Sequence, residues 1–253
     1  MRNFKKPLLF SAAMLPVIIP AVVLTAFYQM QLYPADIIAG AVNQLGSKAA
    51  LIILSAVQGS LLVAVCCFFG YILADKTGLW KPLYIERDKL FKTIARASSA
   101  GLVFSLDYWT FGTCEPLIQS SITGAGLSAA GFGAAVLYGG IAEEILMRLF
   151  LMSLISFILW KLFCRSTPKN KLPDIIFIAA NIISTLLFAA GHLPATVTAF
   201  GALTPMLLAR CFLLNGIFGL LFGRLYHRYG IWYSIAAHIF VHIVSKAVWL
   251  ILI

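Results

Sequence analysis

Charged residues are scarce in this sequence. They make up 11% of its 253 residues, whereas a soluble domain carries about 25%. Hydrophobic residues make up 61%, and mean hydropathy is +0.95. That leaves too little polar surface to cover a water-soluble particle. Acidic residues are scarcer than basic ones, 9 against 19, giving a formal charge of +10. This excess does not point to nucleic acid. The Lys and Arg residues cluster in short loops between apolar runs, the pattern of cytoplasmic loops in membrane proteins. The five cysteines, Cys66, Cys67, Cys114, Cys164 and Cys211, show no CxxC spacing, and four lie in or beside apolar runs. They read as buried free thiols rather than metal ligands. There is no HExxH, no internal repeat and no low-complexity segment.

Long apolar runs are what the sequence does have. Several reach the roughly 20 residues needed to cross a bilayer. Seven spans are expected, at about 8–28, 50–73, 91–112, 131–160, 174–192, 205–225 and 231–252. The fold expected is therefore all-α, a polytopic membrane helix bundle forming a single domain over 1–253. The basic start, Met1 to Lys6, followed by an apolar stretch mimics a signal peptide. Leu8 to Tyr28 is long, however, and lacks a clear small-x-small cleavage site, so it reads as a retained first span. Span 91–112 is the least apolar, with Lys92 and Arg96 in its first turns and Asp107 near its end.

Basic residues set the orientation. Arg2, Lys5 and Lys6 fall on the same side as three loops. One loop holds Lys76, Lys81, Arg87 and Lys89. The next holds Lys161, Arg165, Lys169 and Lys171, and the last holds Arg224 and Arg228. The opposite loops hold Lys48 and little else basic. The N-terminus is expected in the cytoplasm and the C-terminus outside, in the plasma (inner) membrane if the source is bacterial. Membrane lipids are the surrounding partner.

Ionisable groups at membrane depth cost several kcal/mol and mark functional sites. The fourth span reads Gly139-Gly140-Ile141-Ala142-Glu143-Glu144-Ile145-Leu146-Met147-Arg148. Glu144 and Arg148 are i and i+4, so they share a helix face and can pair. Glu143 is turned about 100° away on a 3.6-residue period and is less tied to the arginine. A carboxylate beside a carboxylate in low dielectric suits a base working near neutral pH. The fifth span ends Phe188-Ala189-Ala190-Gly191-His192, and Pro194 follows. The seventh carries His238 and His242 at i and i+4, a pair able to bind a metal or donate hydrogen bonds. Counting at the α-helical rise puts Glu143 about 18 Å and His238 about 10 Å from their nearer span ends. His192, at the end of its own span, fits this depth less well. Arg210 and Lys246 read as snorkelling toward headgroups, Asp107 as facing water, and Asn181 and Asn215 as interhelical contacts. His227 reads as a solvated neighbour of Arg224 and Arg228.

Three motifs now stand in order, each on its own span: Glu143-Glu144-x-x-x-Arg148, Phe188-x-x-x-His192 and His238-x-x-x-His242. Over roughly 131–245 the sequence resembles the CPBP family of CAAX proteases and bacteriocin-processing proteins, also called Abi. That family includes the type II CAAX prenyl endopeptidase. The resemblance implies an intramembrane endopeptidase acting on a membrane-associated peptide or protein. It implies that Glu143 activates a water with His192, that Glu144 and Arg148 order the site, and that His238 stabilises the oxyanion. The family's third motif usually ends in Asn or Asp, and here the position is His242. Two chemistries stay open. One is metal-free, with glutamate-activated water and histidine donors. The other uses zinc, held by some of Glu143, His192, His238 and His242. A non-catalytic immunity or interaction scaffold on the same fold is the alternative to an enzyme. A proton-coupled carrier would need matching broken helices in two halves, and none is visible.

Overall fold

Backbone N–H and C=O groups at membrane depth must be bonded within their own segment, so apolar runs of this length fold as helices. The structure, a computed structural model, describes residues 4–253. Arg2 of the basic N-terminal cluster lies outside them. Among the described residues there is no strand. In chain order the helices are α1 (Lys5–Leu32), α2 (Ala35–Leu45), α3 (Lys48–Thr77), α4 (Arg87–Ser105), α5 (Asp107–Cys114) and α6 (Pro116–Ser121). After these come α7 (Ala129–Gly133), α8 (Ser153–Phe163), α9 (Asp174–Gly191), α10 (Leu193–Phe200), α11 (Pro205–Tyr229) and α12 (Ile231–Leu252). A continuous helical rod joins α7 to α8, so one span runs Ala129–Phe163.

Among the described residues six helical spans, not seven, are long and apolar enough to cross a membrane. The expected span 91–112 is the exception. It divides at Leu106 into α4 and α5. The face α4 buries is made of small and polar residues, Thr93, Ala97, Gly101 and Ser105, at every fourth position. Small residues let helix backbones approach closely. At Gly101 an added Cβ would stand 2.9 Å from the Val241 carbonyl oxygen of α12. The two helices meet along their length. The Glu86 amide donates to Tyr233 Oη at 2.9 Å at one end, and Trp249 Nε1 donates to the Ser105 carbonyl at 2.8 Å at the other.

The basic loops gather at one end of the bundle. There Lys81 Nζ donates to the carbonyls of His227 (2.9 Å) and Arg228 (2.6 Å) at the end of α11. Burial holds the Lys81 ammonium below its ordinary value, with Lys89 and Arg228 adding to the effect. Lys169 Nζ donates to the Asp75 carbonyl at 3.0 Å, and Arg228 to Asp174 at 3.0 Å. Phe10 of α1 packs edge-on against Trp80 and Trp232, so the first helix begins at this same end. His227 does not face open solvent. It stacks on Phe177 with centroids 4.4 Å apart and lies 3.6 Å from Asp174.

A single residue, Gly230, links α11 to α12. Its φ of 98° lies in a region that disfavours side chains. The tight reversal lays the two helices side by side, and His238 consequently stacks on Phe222 of α11 at 4.3 Å.

Candidate active site

The span carrying the glutamates is not α-helical through its motif. Ala134–Glu143 and Ile145–Met152 are π-helical. Such turns are rare and concentrate at functional sites. Glu143 and His192 meet all the same, with Glu143 Oε1 3.9 Å from His192 Nε2 at the end of α9. Small residues give the rod room against α12. An added Cβ at Gly140 would collide with the Ile239 side chain, and one at Gly139 would stand 2.8 Å from His242 Nε2.

The adjacent glutamates occupy opposite environments. Glu144 is fully buried. Its Oε1 accepts from His238 Nδ1 at 2.9 Å and lies 3.2 Å from Arg148 NH1, while its Oε2 accepts from Ser234 Oγ. The i,i+4 pair expected from spacing is formed. The NH1 contact is ionic without hydrogen-bond geometry, which leaves that nitrogen without a hydrogen bond. Arg148 NH2 donates to the Gly219 carbonyl at 2.9 Å, and the guanidinium lies 5.5 Å from the Phe188 ring centre and 5.6 Å from that of Phe222. Ring faces attract cations, so two of the aromatic neighbours of the histidines also hold the arginine.

Glu143 instead faces a cavity of about 710 Å³. Its Oε1 lies 3.9 Å from His192 Nε2. His192 Nδ1 is 2.9 Å from the Phe188 carbonyl. A carbonyl only accepts, so Nδ1 carries the proton and Nε2, in the neutral ring, presents a lone pair toward Glu143. Phe188 and His192 are the spaced pair of the second motif. Their spacing serves this backbone bond and an edge-on ring contact at 4.4 Å.

His238 and His242 stack at 4.9 Å and both line the same cavity. With Nδ1 of His238 held by Glu144, its Nε2 is the free nitrogen. An added Cβ at Gly139 would stand 3.8 Å from it. Both histidines thus present Nε2 to the wall next to the glutamate motif. The structure brings Glu143, His192, His238 and His242 to one cavity, with Glu144 and Arg148 behind it. Among the described residues, however, no group of three or more His, Cys, Asp or Glu side chains stands close enough to hold a metal ion. The four residues considered as zinc ligands do not form a ligand set as placed.

Four residues in this region differ from their sequence reading. Asp107 is buried and both its oxygens accept from Arg210, at 2.8 and 2.6 Å. Neither partner reaches for solvent or lipid as expected. Lys246 is 5% exposed, with Nζ donating to the Gly126 carbonyl at 2.5 Å. Asn215 bonds the Cys211 carbonyl of its own helix, whereas Asn181 does bridge α9 to the Leu220 carbonyl of α11 at 3.0 Å. The signal for the missed residues lay in α12. Ser234, His238, His242 and Lys246 recur every four residues and form one polar stripe, in which Ser234 passes unnoticed in the sequence and Lys246 reads as snorkelling.

An all-helical membrane bundle with a buried Glu–Arg–His cluster behind a cavity lined by a second glutamate defines the class. Residues 125–244 match the family model described as Rce1-like, Type II CAAX prenyl endopeptidase Rce1-like. That match, over just under half of the chain, supports membership of this CAAX protease family. No curated protein and no solved structure matches the chain.

Proposed function

We propose that this protein is an intramembrane endopeptidase that hydrolyses a peptide bond of a membrane-associated substrate. The observation that carries the reading is the split between the glutamates. Glu144 is committed to three partners, while Glu143 stands at the cavity 3.9 Å from an oriented histidine nitrogen. A polar gap of that width fits one water shared between the two groups.

In this reading Glu143 takes a proton from the water, and the oxygen attacks the substrate carbonyl carbon. His192 shares the water and fixes its direction. The carbonyl oxygen gains charge as the tetrahedral intermediate forms. His238 Nε2 and His242 Nε2 supply the donors, the largest type of contribution in such sites. For His238 to donate from Nε2 while Nδ1 bonds Glu144, the ring must carry both protons. The Glu144 carboxylate stabilises that cation, and Arg148 keeps Glu144 in place. Glu143 then delivers its proton to the leaving nitrogen as the C–N bond breaks. No step in this scheme requires a metal. His242, where the family usually has Asn or Asp, replaces an amide or carboxyl by an imidazole donor.

The same reading includes a topology. α4 lies along the length of α12, and the basic loops share one end of the bundle. We propose that α4 crosses as a seventh helix, with the N-terminus cytoplasmic and the C-terminus opposite.

The test is cleavage of a membrane-tethered peptide by purified protein. Loss of a general base costs about 10²–10⁴-fold in rate. Glu143→Gln is expected to fall by that factor, and full turnover by this variant would remove Glu143 as the base.

A further inference from the structure

Of the cavity's charged residues that the hydrolytic scheme does not use, Asp107 and Arg210 pair with each other and Lys246 stands apart. Lys246 lies on α12 one helical turn beyond His242, is 5% exposed, and lines the same cavity. Among the described residues its one hydrogen-bond partner is the Gly126 carbonyl, a neutral acceptor. The Trp249 ring lies 5.9 Å away and adds only a weak attraction. Buried charges are ordinarily paired with an opposite charge. Among the described residues, the carboxylates near the cavity face groups other than Lys246. Asp107 gives both oxygens to Arg210, Glu144 is shared by Arg148, His238 and Ser234, and Glu143 faces His192. None forms an ion pair with Lys246. An ammonium with three donors and one neutral acceptor has capacity for an anion, and the cavity is where that anion can come from.

We propose that Lys246 is a specificity-determining residue that binds a carboxylate of the substrate. The proposal rests on the reading of the cavity as a substrate site. Eight residues at about 1.5 Å each place Lys246 roughly 12 Å along α12 from His238. That is the reach of about three to four extended residues. The carboxylate therefore sits a few residues to one side of the bond held at His238. The apolar rings of Phe104 and Phe218 line the same cavity. An Asp or Glu side chain and a chain terminus present the same chemistry.

Equilibrium binding to the full-length protein in detergent separates these sources. The probes are dodecanoylated Ala/Leu hexapeptides in four forms: C-terminal acid, C-terminal amide, and the amide form with Asp or with Asn third from its end. Each is titrated against wild type and against Glu143→Gln, which holds the peptide uncut. At least one anionic form is expected to bind about tenfold more tightly than its neutral twin, about 1.4 kcal/mol. Preference for the acid assigns a chain terminus, and preference for the Asp form assigns a side chain. Lys246→Met is expected to abolish the preference while keeping affinity for the neutral forms, and Lys246→Arg to retain it. The absence of any anionic preference in wild type, or its survival in Lys246→Met, overturns the proposal. The readout is affinity, so full turnover by Glu143→Gln would end the hydrolytic mechanism without deciding this assignment.

Discussion

Neutralising either of two neighbouring glutamates gives the sharpest test of the site. Glu144→Gln removes the charge that faces Arg148 at 3.2 Å in full burial. Arg148 would keep one hydrogen bond, to the Gly219 carbonyl, and the ring faces of Phe188 and Phe222. Removing one partner of a buried ion pair costs about 3–5 kcal/mol, because the other charge is left uncompensated. The glutamine also disturbs the bonds to His238 and Ser234. Glu143→Gln, one residue earlier, touches only the cavity and a histidine 3.9 Å away, so its cost should stay within about 0.5 kcal/mol. For a chain of this size each kcal/mol moves Tm by roughly 2–4 °C. Thermal unfolding followed by circular dichroism in one detergent should therefore place Glu144→Gln about 6–20 °C below wild type, with Glu143→Gln close to it. Cleavage should fail in both, for different reasons. Equal midpoints for the two variants, or a neutral Glu144→Gln, would refute the division of the pair into a support and a base.

Gly139→Ala places a methyl 2.8 Å from His242 Nε2. The ring must shift, and kcat for cleavage should drop about 10²-fold, as for loss of an oxyanion donor, with KM little changed. Gly101→Ala meets the Val241 carbonyl and Val244. Overpacking at that contact should cost about 1–3 kcal/mol, read as a lowered Tm, and an unchanged midpoint would mean α4 is not seated on α12. A reporter fused after Ile253 should be active only outside the cytoplasm if α4 crosses, and cytoplasmic activity would reduce the crossings to six. Prolonged chelation should leave the cleavage rate unchanged, and loss of activity restored by zinc would instead require the four cavity residues to rearrange around a metal.

Much of the site was legible because helical spacing is local. Glu144 and Arg148 at i,i+4 form the pair their spacing announces, and His238 and His242 at i,i+4 share a face. The π-helical backbone was not legible, since nothing in Ala134–Met152 signals it by composition alone. Nor was the meeting of Glu143 with His192, 3.9 Å apart, which the α-helical count of depth argued against. The division of the expected span 91–112 at Leu106 and the seating of α4 were not legible either. Hydropathy averages over a helix, whereas the small-residue face of α4 acquires meaning only against α12.

The sequence by itself determined the class of fold, because apolar runs in lipid have helices as their outlet, and it determined which polar residues stand at membrane depth. Tertiary structure decided how those residues are divided. Which glutamate is buried against Arg148 and which faces the cavity depends on where α9, α11 and α12 lie around the rod. Asp107 with Arg210, 103 residues apart, and Lys246 with Gly126, 120 residues apart, are partners that no local pattern encodes. Electrostatic pairing depends on distance in space, and that distance exists only once the bundle has closed.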